Sequence, residues 1–155
     1  MSAVIVSLRV KATPQEAFDV FTREIAAWWR PNPLFQLTPR GDGVLRFDNR
    51  ERLVAMLPNG AEFEIGRVTA WAPGERLAFT WRQASFTPEQ STQVEVRFEP
   101  VDDETRVTVE HRGWDAIPQE HVARHTFPLG VFQMRQAEHW RALLAAMAAQ
   151  LAAGG

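Results

Sequence analysis

Of the four histidines in this 155-residue chain, His111 stands in the setting best suited to chemistry. It continues the alternation Val107, Val109, His111, a period of two that places all three side chains on one face of a strand. An imidazole on an apolar face can orient a ligand carbonyl or hydroxyl through one hydrogen bond. It can act as a general base if its pKa is suitable. It can equally be a core histidine, satisfied by a backbone carbonyl or packed on Trp114. His121 and His125 share the spacing of some metal ligands, but a zinc protease needs a glutamate between them and a third ligand. Here Val122, Ala123 and Arg124 intervene, and the arginine opposes a cation. The pair is expected on a solvent-exposed helix face, and His139 on the polar side of the last helix. No metal site is expected.

Other catalytic constellations are missing from the sequence. It has no Gly-x-Ser-x-Gly elbow, no Gly-x-Gly-x-x-Gly, no phosphate loop and no cysteine. No catalytic residue and no cofactor are therefore assigned. Glu62 and Glu64 alternate with Phe63 and Ile65 and are expected in solvent. Arg82, Arg97 and Arg112 alternate with apolar positions and read as outer-face charges, one of which could pair with an anionic head group.

The aromatic complement is unusual: six Trp and ten Phe with no Tyr. Large rings without a phenol suit an apolar interior or pocket better than a polar recognition surface. The candidate ligand-binding set is Phe47, Phe63, Phe79, Trp81, Phe98 and His111 from strands, Trp28 from the first helix, Trp140 and Met147 from the last helix, and Trp114 from the turn after the final strand. Each of these could instead simply fill the core.

The elements that must position them follow from periodicity. Val4–Lys11 alternates as a strand. Thr13-Pro14-Gln15-Glu16 combines an N-cap, a proline at the first helical position and a capping box. Phe18, Phe21, Ile25 and Trp28 then follow at helical spacing, with Pro31 and Pro33 ending the helix. After a loop ending at Gly41-Asp42-Gly43, strand runs appear at Val44–Phe47, Leu53–Leu57, Phe63–Trp71, Leu77–Trp81, Val94–Phe98 and Val107–His111. They are separated by turns at Asp48-Asn49-Arg50, Pro58-Asn59-Gly60, Pro73-Gly74, Pro88-Glu89-Gln90 and Asp102-Asp103-Glu104. Gly66 is expected to be a bulge, because the apolar parity slips there. A short helix is expected within Ala116–Arg124. A long helix is expected from Val131 to Leu151, with Ala137, Trp140, Leu144, Met147 and Leu151 on its apolar stripe. Strand, helix, meander and long helix make one α+β domain over residues 1–155. A curved sheet cannot lie flush along a straight helix, so the divergence leaves a void or is filled by large side chains.

Composition narrows the function classes. Apolar residues make up 45% and charged residues 23%, a globular mix. The net charge is −2 with no basic stripe, which disfavours nucleic acid as a partner. The N-terminus, MSAVIVSLRVKAT, has no basic region before an apolar run, and the weakly apolar stretch Ala142–Ala153 is too short to span a bilayer. No membrane association and a cytoplasmic location are expected.

Three segments resemble a known family. Ala17-Phe18-Asp19-Val20-Phe21-Thr22 followed by Trp28-Trp29 is similar to the opening of the START-like, or SRPBCC, superfamily. Glu75-Arg76-Leu77-Ala78-Phe79-Thr80-Trp81 and Thr105–Trp114 resemble strands of the group related to the C-terminal domain of activators of the heat-shock-protein-90 ATPase. The resemblance covers nearly the whole chain. It implies a helix-grip fold of about six to seven antiparallel strands wrapped around the C-terminal helix, with a short helix after the first strand. It also implies a tunnel of the kind in which superfamily members bind lipids, sterols, hormones or polyketides. Where the family often has Gly-Trp at the start of the last helix, this chain has Gly130-Val131.

Binding of a small hydrophobic or aromatic molecule between sheet and helix is the expected function. The alternatives are a chaperone cofactor, as the family name implies, and a hydrolase or cyclase with His111 as base. Self-association through exposed Trp28, Trp29 or Phe35, as in a homodimer, is a further expectation.

Overall fold

Alternation in the first strand, β1 (Ala3–Val10), buries Val4, Val6 and Val10 and turns Ile5, Ser7 and Arg9 outward. In the computed structural model, which describes residues 3–30, 38, 43–82, 86–87, 89–118, 120–124 and 127–154, six more strands follow. They are β2 (Val44–Asp48), β3 (Arg52–Met56), β4 (Glu62–Ala72), β5 (Arg76–Trp81), β6 (Thr92–Val101) and β7 (Glu104–Arg112). All pair antiparallel in one sheet of order β1-β7-β6-β5-β4-β3-β2. The expected loop at Gly41-Asp42 and the turn residue Pro88 lie outside the described residues.

The curvature originates largely in β4. Its register with β3 shifts between Leu53 and Val54, and its register with β5 shifts between Val68 and Ala70. Bulges bend the strand and increase its twist. Gly66 stands at the first of them, as its parity slip predicted. A Cβ there would lie 1.7 Å from the Thr80 carbonyl oxygen, so the close approach of β5 permits only glycine. The hairpin turn at Asn49 and Arg50 uses two residues of positive φ, 52° and 61°, whose twist matches that of the flanking strands.

The first helical segment begins as its sequence dictates. Thr13 Oγ1 accepts from the Glu16 amide at 3.1 Å, and a Glu16 carboxylate oxygen accepts from the Thr13 amide at 2.9 Å. The structure differs from the expected single helix. It has α1 (Pro14–Arg23) and a short α2 (Ile25–Trp28), broken at Glu24. Thr22 Oγ1 donates back to the Phe18 carbonyl, a bond that bends helices, and the break lets the Trp28 indole donate to the Val20 carbonyl at 3.0 Å. Trp28 is fully buried, which corrects its assignment to an exposed self-association patch. Trp29 is half-buried, and Phe35, Pro31 and Pro33 lie outside the described residues.

The expected short helix within Ala116–Arg124 is instead two 3-10 turns, Trp114–Ala116 and Val122–Arg124. The long helix α3 (Leu129–Gly154) extends beyond both expected ends. It packs along β1 and touches α1 and α2, while β2, at the opposite sheet edge, curls in to meet α1 and α2. Buried Phe132, Trp140, Leu143, Leu144 and Met147 form its inner face. A seven-stranded curved sheet gripping a C-terminal helix is the α+β helix-grip arrangement that the family resemblance implied. Among the described residues, no helix is long and apolar enough to cross a membrane.

Candidate functional site

Nine aromatic rings form a closed circuit between the sheet and the helices. Starting at Trp29, ring centroids lie 5.7 Å from Trp81, then 6.4 Å on to Phe79, 5.6 Å to Phe47 and 5.8 Å to Trp71. The circuit continues 5.3 Å to Phe18, 5.3 Å to Phe98, 6.0 Å to Phe21, 5.0 Å to Trp28 and 5.6 Å back to Trp29. Most contacts are tilted or edge-to-face, the arrangement that ring quadrupoles favour. Strand periodicity supplies Phe47, Trp71, Phe79, Trp81 and Phe98, and the capped helix supplies Phe18, Phe21 and Trp28. Trp29 closes the circuit from just beyond α2.

A second aromatic group joins this circuit at Trp81. His111 lies 5.5 Å from Trp81, 5.4 Å from Trp114 and 6.2 Å from Trp140, so three indoles surround the imidazole. The Trp140 indole donates to His111 Nδ1 at 3.3 Å. An indole can only donate, so Nδ1 carries the lone pair and Nε2 the proton. His111 Nε2 therefore donates to Thr92 Oγ1 at 2.7 Å, and the Thr92 hydroxyl donates to the Trp81 carbonyl at 3.3 Å. The relay runs in one direction from α3 through β7 and β6 to β5.

This arrangement bears on what His111 can do chemically. Complete burial, assisted by nearby His139, pushes its pKa down from 6.5 to about 3. Its lone pair is already occupied by Trp140, so abstraction of a substrate proton would require breaking that bond. It is a neutral link between α3 and β6 through the side chains of Trp140 and Thr92, and it packs on Trp114, one of the two core arrangements expected.

The other histidines depart from expectation. His139 is buried, not on the polar face, and burial lowers its pKa to about 4. The Trp29 ring meets it edge-on at 6.2 Å. His121 is half-buried against Phe86, and its Nδ1 accepts from the Ala123 amide at 3.0 Å, so it is not on an exposed helix face. His125 lies outside the described residues. Among the described residues, no cluster of three His, Cys, Asp or Glu could hold a metal.

The structure thus brings together Trp28, Phe47, Phe79, Trp81 and Phe98 in the circuit, with His111, Trp114 and Trp140 adjoining. Met147 is buried in the same core. Phe63 is half-buried against that core but joins no ring of the circuit. Arg97 and Arg112 face outward, as their alternation predicted, and pair with Glu95 and Glu110. Glu62 is exposed, whereas Glu64 is half-buried and both bind Arg52. Arg82 donates to the Thr87 carbonyl, yet its Nε is buried without a partner. Sequence reasoning missed Trp29, Trp71, Thr92, Arg124, Gln136 and His139. Gln136 and His139 had a signal: together with Phe132, Leu143 and Met147 they fall on one helical stripe.

Five further side chains matter electrostatically because each carries a buried, unbonded polar atom. The indole nitrogens of Trp81 and Trp114, Nε of Arg124, Nε2 of Gln133 and Oε1 of Gln136 have no partner among the described residues. Most buried polar atoms in native proteins are bonded, so each of these calls for an occupant or a water.

The comparisons with known proteins agree with this fold. The family model described as Activator of Hsp90 ATPase homolog 1-like protein matches residues 11–152, and the chain belongs to that family. The fold is similar to protein MLL2253 from Mesorhizobium loti, at 18% identity and a TM-score of 0.61, covering 97% of this chain and 96% of that one. It is also similar to protein SSP2350 from Staphylococcus saprophyticus, at 16% identity and a TM-score of 0.64, covering 99% and 93%. The AHSA1 protein SPO3351 from Silicibacter pomeroyi is 16% identical with a TM-score of 0.61, covering 99% and 100%. No curated protein matches the chain.

Proposed function

We propose that this protein binds a small hydrophobic or aromatic molecule between the curved sheet and α3. The observation that carries the reading is the Trp81 indole N–H, which is buried and unbonded where the nine-ring circuit meets the His111 group. An unbonded buried donor costs about 1–3 kcal/mol, and a ligand oxygen recovers that. Desolvation of the ligand's apolar body would supply about 25 cal/mol per Å² buried. The test is a thermal-shift and tryptophan-fluorescence titration against lipids and aromatic metabolites. A ligand bearing a carbonyl or hydroxyl should raise the melting temperature, and Trp81→Phe should weaken it about tenfold while leaving a plain hydrocarbon unaffected. A panel that produces no shift and no quenching ends this reading.

A chaperone-cofactor role is the second reading, favoured by the family description and by an exposed apolar pair on α3. Val131 is 40% and Met134 53% exposed, one helical turn apart. Saturating protein should then accelerate ATP hydrolysis by a heat-shock-protein-90 chaperone, and Met134→Asp should abolish the effect. Unchanged hydrolysis excludes it.

A further inference from the structure

Arg124 carries a charge that the fold leaves without a counter-charge. It ends the second 3-10 turn and is only 4% exposed. Its two terminal nitrogens donate to the Ile117 carbonyl at 2.9 Å and the Phe127 carbonyl at 2.7 Å, and its Nε has no acceptor. Among the described residues, no carboxylate pairs with it. A guanidinium stays protonated at any ordinary pH, and a buried charge is costly unless paired. The two carbonyls orient the group but supply only dipoles.

The surroundings of Arg124 hold further unbonded polar atoms, one a donor and one an acceptor. Its guanidinium lies 5.7 Å from the centre of the Phe132 ring. Trp114 packs on that ring at 4.6 Å, and its fully buried indole N–H is also unbonded. Gln136, one helical turn beyond Phe132 and 2% exposed, has an unpartnered carboxamide oxygen. The Arg124 guanidinium and the Trp114 indole, each with an unbonded N–H, therefore both border the Phe132 ring, and neither N–H has an acceptor among the described residues. The same aromatic path runs from Phe132 through Trp114 and His111 to Trp81.

We infer that Arg124 and Trp114 bind the carboxylate of an amphiphilic monoacid whose apolar body occupies the aromatic interior, which rests on the ligand-binding reading above. A carboxylate supplies two acceptor oxygens in the plane that a guanidinium recognises. One buried cation matches one negative charge. A phosphate dianion would leave a net negative charge in the same apolar surroundings, so a carboxylate is favoured.

The experiment compares matched pairs by calorimetry: dodecanoate against dodecanamide, and 3-phenylpropanoate against its amide. The unmodified protein should bind an acid at least tenfold more tightly than its amide. In Arg124→Met that preference should fall to about one, and Arg124→Lys should retain part of it. Equal affinity for acid and amide, or an undiminished preference in Arg124→Met, overturns the proposal while leaving the apolar site intact. In parallel, the Arg124 Nε–H resonance is followed by NMR in the unmodified protein during titration with benzoate, which needs no variant to fold. A saturable shift without binding of either chain-bearing pair keeps the anion site and removes the apolar container. No shift and no binding removes both.

Discussion

The Trp140 indole nitrogen stands 3.3 Å from His111 Nδ1, and this one bond fixes the protonation of a fully buried imidazole. It ties α3 to β7, and through Thr92 to β6 and β5. The imidazole is therefore part of the framework that holds Trp81 and Trp114 in place.

Removing the donor tests that relationship. Trp140→Phe leaves Nδ1 buried without a partner and leaves a small void, together worth about 2–4 kcal/mol. Urea denaturation should show that loss. Nitrogen NMR should find a single Nε2–H tautomer in the unmodified protein and a mixture in the variant. A mixture in the unmodified protein would contradict the assigned relay.

Stability should depend on pH through two histidines. Burial lowers His111 to about 3 and His139 to about 4, against 6.5 for the free side chain. Between about 6.5 and 4 the unfolded chain binds more protons than the folded one, so stability is full above 6.5 and falls as the pH drops. The slope should approach about 1.4 kcal/mol per pH unit for each histidine. Two carboxylates with lowered pKa, Glu16 and Glu95, lie at or below their usual 4.5, so the window from 6.5 to 4.5 isolates the histidines. Urea midpoints at pH 7.5, 6 and 5 measure the slope, and His139→Gln should halve it. A flat profile would mean that both rings are solvated, and half the slope that one is.

Two glycines should respond very differently to alanine. Gly66→Ala sets a methyl against the Thr80 carbonyl and should cost more than about 3 kcal/mol or prevent folding. Gly60→Ala meets nothing within 4 Å and bears only the strain of φ +86°, about 1 kcal/mol. Melting temperatures of the two variants decide it. Similar losses would argue that β4 and β5 are not pinned at the bulge.

The capping box of α1 sets a smaller scale. Thr13→Ala removes the acceptor for the Glu16 amide and should cost about 1 kcal/mol, with no change in ligand binding. Calorimetric melting checks the first part and fluorescence titration the second.

Local rules made the secondary structure readable. Alternation in Val4–Val10 and Val107–His111, the Thr13-Pro14-Glu16 start and the parity slip at Gly66 all act over a few residues, so their outcome is written in neighbouring positions. They determined all seven strands, both principal helices and the inward direction of Phe79, Trp81, His111 and Trp140. Tertiary structure decided the rest, because it depends on which surfaces meet. The break at Glu24 folds Trp28 back onto Val20 and closes the aromatic circuit. The packing of Trp29 covers His139. Arg124 is buried where the Ile117 and Phe127 carbonyls accept from its guanidinium. Periodicity tells a side chain which way to face, but it cannot tell a buried charge whether a partner will be waiting.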